Sequence, residues 1–170
     1  IFIILLLNSI MANLNTLSNN DEYYTNIETW NDILKHIPRD QIILEPFYGI
    51  GTGPNNLKSL GLNVISEDID FSEAMDNFNY DIILTNPPFS TNILKSFLKK
   101  LHFIDKPFVI ILPISKITTK YFQEFFKNKI QIIIPSKRIK FNGGNKSNSP
   151  SFASIYVCYK MKLGNDILFL

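Results

Sequence analysis

Gln41-Ile42-Ile43-Leu44-Glu45-Pro46-Phe47-Tyr48-Gly49-Ile50-Gly51-Thr52-Gly53-Pro54 is the stretch that decides the fold. Three consecutive aliphatic residues ahead of a breaker read as a short strand buried on both faces. The alternating glycines that follow let the backbone turn tightly and approach a ligand with no Cβ in the way. Pro54 suits the first turn of a helix running through Leu57 to Leu60, with Pro54 expected as its first residue. A second strand is expected at Asn63-Val64-Ile65-Ser66, ending in Glu67-Asp68-Ile69-Asp70-Phe71. Strand, glycine loop, helix, strand and acidic terminus together describe the nucleoside-binding half of a doubly wound α/β sheet, with an acid placed to accept from ribose hydroxyls.

The second informative stretch is Asp81-Ile82-Ile83-Leu84-Thr85-Asn86-Pro87-Pro88-Phe89. It reads as another doubly buried strand that stops at two prolines, which force the chain to leave it extended and stiff. A side-chain amide, a backbone carbonyl and an aromatic ring are thereby set at a strand's carboxyl end, where open α/β sheets bind ligands. The chemistry these groups suit is transfer to a poorly nucleophilic amine such as the N6 group of adenine. Two acceptors, the Asn86 amide oxygen and the Pro87 carbonyl, hold both N–H bonds. They favour a pyramidal nitrogen and stabilise the positive charge that grows on it. Phe89 is expected to offer a face on which an extruded base stacks. A strand ending in an X-Pro-Pro turn with a core Phe is the simpler reading of these residues.

The glycine loop taken alone also suits a nicotinamide dinucleotide. That fingerprint wants glycine or alanine where Pro54 stands, and an acid opening the loop would repel a pyrophosphate. Glu45 instead favours the cationic end of a sulfonium amino acid, which points to S-adenosylmethionine.

Together, Glu45-Pro46-Phe47-Tyr48-Gly49-Ile50-Gly51 and Asn86-Pro87-Pro88-Phe89 resemble the class I S-adenosylmethionine-dependent adenine-N6 methyltransferases of nucleic acids, in particular small forms from phages and large viruses. The resemblance covers most of residues 21 to 161 and is specific in these two motifs. It implies that Asn86, Pro87, Pro88 and Phe89 form the catalytic element. It implies that Glu45, Pro46, Phe47, Gly49 and Gly51 hold the cofactor's methionyl part, and that Tyr24-Thr25 covers that end; Asn26 departs from the proline that often follows this pair. Asp68 would take the ribose, with Glu67 competing, and Asp70-Phe71 would meet the cofactor's adenine. Only about ten residues separate Phe71 from the next strand, too few for a full helix and an outer strand, so the far edge of the sheet is expected to be trimmed. This leaves the roles of Glu67, Asp68 and Asp70 open among themselves.

Further along, Ile93, Leu94, Phe97, Leu98 and Leu101 form a core-facing helical stripe. Buried strands are expected at residues 108–112, 130–134 and 154–159, with a helix carrying Tyr121, Phe122, Phe125 and Phe126. The loop before the last strand includes Lys137, Arg138, Lys140 and Lys146, candidates for gripping a phosphate backbone beside Asn86. A surface hairpin with no partner is the plainer reading. Within the same loop, Ser149-Pro150-Ser151-Phe152 resembles the family's element beside the target base. Charge is lopsided: residues 1–94 hold three basic and twelve acidic residues, residues 95–170 fourteen and three, although the net charge is only +2. Such polarity suits a domain that offers one surface to a polyanion.

Nothing points to a metal: His36 and His102 have no cysteine or carboxylate at ligand spacing. One cysteine, Cys158, permits no internal disulfide and fits a reducing compartment, cytoplasmic or nuclear. The apolar run Ile1–Leu7 is too short to span a bilayer. Met11 reads as the start, with residues 1–10 an over-extended frame and a signal peptide the less favoured reading. The expected organisation is an arm at 1–20, a Rossmann-like class I methyltransferase domain at 21–162, and a tail at 163–170. Its sheet is expected to be mostly parallel, with helices on both faces and one edge strand lacking. The expected partner is DNA, favoured over RNA, single-stranded or with its base flipped, with no membrane and room for a homo- or heterodimer. Two other readings keep the same residues: a protein glutamine-N5 methyltransferase, and a non-catalytic nucleic-acid-binding subunit of a methyltransferase complex.

Overall fold

The computed structural model describes residues 23–142 and 152–170. The expected start at Met11, the arm at 1–20, Lys146 and Ser149-Pro150-Ser151 all lie outside the described residues.

Seven strands form the main sheet: β2 (Ile42–Leu44), β3 (Asn63–Ile65), β4 (Ile82–Thr85), β5 (Phe108–Pro113), β6 (Ile130–Ile134), β8 (Ser154–Tyr159) and β9 (Ile167–Phe169). Their order is β3-β2-β4-β5-β8-β6-β9. Every neighbouring pair is parallel except for β8, which runs antiparallel to both β5 and β6. A separate two-stranded ribbon pairs β1 (Tyr24–Thr25) with β7 (Phe141–Asn142). The central strands are buried along their whole length because each is a run of β-branched and aliphatic residues covered on both faces.

The helices are α1 (Ile27–Ile33), α2 (Thr52–Ser59), α3 (Phe71–Asn77), α4 (Thr91–Ile104) and α5 (Lys120–Phe126), and α1 continues into a 3-10 turn at Leu34–His36. Right-handed crossovers fix their sides. The chain steps outward from β2 to β3 through α2, then reverses direction through α3, α4 and α5. The last three therefore share the face opposite α2. Packing agrees: α1 lies against α2, while α4 lies against both α3 and α5. Along α4 the expected stripe is buried as Leu94, Phe97, Leu98 and Leu101.

The sheet is thus Rossmann-like, as the sequence suggested, and its edge is trimmed where that was expected: no strand lies outside β3 among the described residues. Between β3 and β4 there is room for only the seven residues of α3. Two details differ from expectation. The helix after the glycine loop begins at Thr52 with Gly51 as its N-cap, so Pro54 is its third residue, still within the turn whose N–H groups lack intrahelical partners. Residues 163–170, read as a tail beyond the domain, contribute β9, which extends the sheet beside β6 with Ile132↔Ile167 and Ile133↔Leu168 in register.

Face-to-face packing is secured by one long-range polar contact. The Tyr156 hydroxyl on β8 donates to the Thr29 carbonyl of α1 at 2.7 Å, and both groups are buried. Tyr156→Phe removes this bond while the Thr29 carbonyl keeps its place in the helical ladder, so stability should fall by about 1 kcal/mol. The expected result is a lower urea midpoint at unchanged slope; an unmoved midpoint would show that the bond contributes nothing.

Candidate active site at the carboxyl edge of the sheet

Because β2 and β4 are neighbours in parallel register, with Ile43↔Ile82 and Leu44↔Ile83, the two sequence motifs leave the sheet side by side. Thr85, the last residue of β4, donates a short hydrogen bond from Oγ1 to Glu45 Oε1, directly after β2. The same oxygen accepts from the Phe47 N–H at 3.0 Å. Oε2 lies 3.6 Å from the position a Cβ on Gly53 would take, in the first turn of α2. Glu45 is only 3% exposed. Its burial pushes the carboxyl up to about 8, against the opposing pull of the bonds from Thr85 and Phe47. Glu45 therefore fixes the shape of the glycine loop, and Ser66 adds a bond from its hydroxyl to the Glu45 carbonyl at 2.7 Å.

Two loop positions require glycine. At Gly51, φ is +83° and a Cβ would sit 3.1 Å from the Tyr48 hydroxyl. At Gly49, φ is +58° and the open side faces the Tyr24 ring at 3.5 Å. Tyr24 thus lies over the loop, held there by the β1–β7 ribbon and by Asn56, whose amide donates to the Thr25 carbonyl at 3.0 Å. Thr25 Oγ1 is buried with no hydrogen-bond partner among the described residues.

Asn86 follows Thr85 immediately. Its Nδ2 donates to the Tyr23 carbonyl at 2.9 Å. A carbonyl can only accept, so this contact settles which way round the amide sits. Oδ1 is turned away from Tyr23 and is buried with no partner among the described residues. Among the described residues no backbone N–H outside the regular elements donates to the Pro87 carbonyl. Asn86 Oδ1 is thus a buried acceptor left unused among the described residues, which is rare for a buried polar group and leaves room for a donor beside the Pro87 carbonyl.

Phe89 is more enclosed than the sequence reading supposed. It is 8% exposed. Tyr23 stacks on it at 6.0 Å between centroids and 28° between planes, while Phe152 and Phe141 meet it edge-on at 5.5 and 6.2 Å. Tyr23 and Phe141 were not singled out from the sequence. Their position depends on the ribbon, and a two-residue strand carries no periodic signal.

The acids proposed for the cofactor separate into two kinds. Asp70 accepts from the Ser72 N–H at 2.8 Å and caps α3. Asp70 followed by Glu73 three residues later is the sequence signature of such a cap, so this role was open to inference. Glu67 and Asp68 are exposed at the end of β3 and form no ion pair among the described residues. They remain the two acids available to hydroxyl donors. Phe71 packs against Phe47 at 5.2 Å and Phe97 at 5.7 Å, joining the loop to α4.

Of the basic candidates, Lys137, Arg138 and Lys140 are exposed between β6 and β7. Arg138 Nε donates to the Phe152 carbonyl at 3.3 Å, and Lys140 precedes Phe141, so this segment borders the aromatic cluster around Phe89. Among the described residues no cluster of three or more His, Cys, Asp and Glu side chains is arranged to hold a metal ion, and no helix is long and apolar enough to cross a membrane.

No protein-family model matches the chain, and no curated protein matches it in sequence. Similarity to solved structures is seen at low identity. A precorrin-6y C5,15-methyltransferase from Geobacter metallireducens superimposes with a TM-score of 0.48 and 15% identity, over 84% of this chain and 97% of that one. A provisionally assigned RNA methyltransferase from Pyrococcus horikoshii gives 0.49 and 14%, over 78% and 79%. An S-adenosylmethionine-dependent O-methyltransferase from Thermotoga maritima gives 0.44 and 10%, over 86% and 69%.

Two measurements test this geometry. Glu45 binds its proton more tightly folded than unfolded, so folding stability should decline as pH rises from about 4.5 to about 8. Glu45→Gln keeps the acceptor and removes the titration. Its melting temperature should gain on that of the wild type as pH rises to 8, and the difference should be constant below about pH 4.5; parallel pH profiles would place the Glu45 proton elsewhere. Asn86→Asp sets a carboxylate oxygen against the Tyr23 carbonyl, which raises the folded-state value of the new acid. That variant should lose about 1–3 kcal/mol at pH 7 and recover part of it towards pH 4, as the carboxyl regains a proton to donate. A deficit independent of pH would contradict the Asn86–Tyr23 bond.

Proposed function

We propose that this chain is an S-adenosylmethionine-dependent methyltransferase acting on the N6 amine of adenine in nucleic acid, with DNA favoured over RNA. The observation that carries the reading is the Asn86 amide: Nδ2 is spent on the Tyr23 carbonyl, and Oδ1 is left buried and unpartnered among the described residues. An exocyclic amine brings the two donors that this oxygen and the Pro87 carbonyl lack. Accepting both N–H bonds draws the nitrogen lone pair out of conjugation and stabilises the charge that develops as the nitrogen is alkylated. Asn suits this better than a strong base, because the amine keeps its protons until late in the reaction.

The cofactor reading is supported by the chain's own residues. Gly49 and Gly51 offer a surface without Cβ atoms, Tyr24 covers it, and Thr25 Oγ1 is buried without a partner close by. The methionyl part would lie on Gly49 to Gly51 under Tyr24-Thr25, with the ribose towards Glu67 and Asp68. When bound, S-adenosylmethionine supplies an electrophilic methyl group. Glu45, ionised as a neighbouring positive charge lowers its proton affinity, would add attraction from beneath the loop. Phe89 serves a base only once the Tyr23 ring yields its place, and the base must also arrive unpaired for its amine to reach Asn86.

Purified protein with radiolabelled S-adenosylmethionine should label adenine-containing oligonucleotides. Asn86→Ala should lower that labelling by at least about a hundredfold, in line with the loss of one preorganised transition-state contact, while cofactor binding survives. Labelling of a polypeptide at glutamine with nucleic acid untouched would favour the amide substrate, and full activity in Asn86→Ala would reject the mechanism.

A further inference from the structure

The charges along the carboxyl edge of the sheet divide by position. The loops after β2 and β3 carry Glu45, Glu67, Asp68 and Asp70 and no basic residue. The loop after β4, residues 86–90, carries no charge. After β5 come Lys116 and, at the start of α5, Lys120; after β6 come Lys137, Arg138 and Lys140, and neither loop holds an acid. Since β5 and β6 both flank β8 and run parallel to one another, these two loops emerge on the same edge with the start of β8 between them. Sequence reading found the second group but not Lys116 and Lys120, which are remote from it along the chain.

None of these five cations is neutralised within the described residues. The two ion pairs found there are Lys100–Asp76, between outer helices, and Lys160–Asp105, at the opposite edge of the sheet. None of the five makes such a pair, and Glu124, one turn after Lys120 on α5, is the nearest carboxylate to them along the chain. Uncompensated positive charge over two loops raises the local potential and attracts an extended polyanion. Next to it lies the aromatic cluster of Phe89, Phe141 and Phe152, which borders Asn86. From β4 to β6 is three strand positions, or about 14 Å at the usual strand spacing. That is the reach of a few nucleotides.

We propose that Lys116, Lys120, Lys137, Arg138 and Lys140 form a landing surface for the backbone of a single-stranded nucleic acid, which approaches Asn86 from the β5–β6 side and leaves the acidic β2–β3 side to the cofactor. This deepens the adenine reading by giving the substrate strand a path, and it extends the recognised basic group across β8. A single strand fits because a paired amine is out of reach of Asn86 and because the cations lie on two loops of the same sheet edge.

The test is binding of a fluorescent oligothymidine, without cofactor, so that neither adenine nor methyl transfer enters the readout. The double variant Lys116→Glu/Lys120→Glu and the triple variant Lys137→Glu/Arg138→Glu/Lys140→Glu should each weaken binding by about tenfold or more. Each should also flatten the salt dependence by about 0.7 in log–log slope per phosphate contact removed. Lys127→Glu/Lys129→Glu, at the far end of α5, controls for net charge and should change affinity by less than about threefold. Glutamine versions of the edge variants should fall between wild type and the reversals. Equal loss in the control, loss confined to the triple variant, or binding to anionic lipid vesicles in place of the oligonucleotide would each overturn the proposal. Tight oligothymidine binding without adenine methylation would leave this surface standing and remove the catalytic reading.

Discussion

The hydrogen bond from Thr85 to Glu45 joins the two halves of the candidate site, and the rest of the edge is arranged around it. Without that link, the glycine loop and the Asn-Pro-Pro-Phe segment are two turns that happen to leave neighbouring strands. With it, the residue before Asn86 is tied to the acid that shapes the loop through the Phe47 N–H. The bond sits at the end of two strands buried on both faces, where water does not compete and a misplaced partner would leave a buried acid unpaired. Position is enforced by the cost of the alternative, since an enclosed carboxyl that loses its donors is more expensive than one that keeps them.

A second constraint comes from the opposite direction. The segment Tyr23 to Thr25 lies across the site, with one carbonyl taking the Asn86 amide and the next side chain covering Gly49. It is anchored by two residues of ribbon and by Asn56 rather than by the main sheet. The contacts that orient Asn86 thus come from a part of the molecule with a smaller hold on the core. Such a division is common where a rigid scaffold carries a site that must admit a ligand. Phe89 is enclosed by the Tyr23 ring of that same segment, so any ligand stacking on its face would have to displace it.

Much of the scaffold was readable because its strands are runs such as Ile82-Ile83-Leu84 and Phe108-Val109-Ile110-Ile111-Leu112, cut by proline or glycine. Such runs can be little else in a chain of this size. The trimmed edge was readable by counting, since ten residues leave no room for an outer strand. The ribbon, β9 and the cap made by Asp70 fall in a different class. Two paired residues have no period, and Ile167-Leu168-Phe169 looks like any short apolar end until β6 is known to offer an open edge. At the site, residue types announced Asn86 and the glycines, whereas Tyr23 acts on Asn86 through a backbone carbonyl that every residue possesses. No side-chain pattern encodes such a contact.

The acidic and basic parts of the carboxyl edge are kept apart by the uncharged residues 86–90, and that spacing has a chemical consequence. On the proposed reading, a nitrogen gaining positive charge beside Asn86 would be stabilised by the dipoles of the amide and the Pro87 carbonyl, with no charged side chain among residues 86–90 to take its proton early. A lysine among those residues would oppose the developing charge, and a carboxylate would attract any cation. On the proposed reading, neutral acceptors placed between two fields of opposite sign would discriminate by hydrogen-bond geometry, and a planar amine with two donors would satisfy both of them at once.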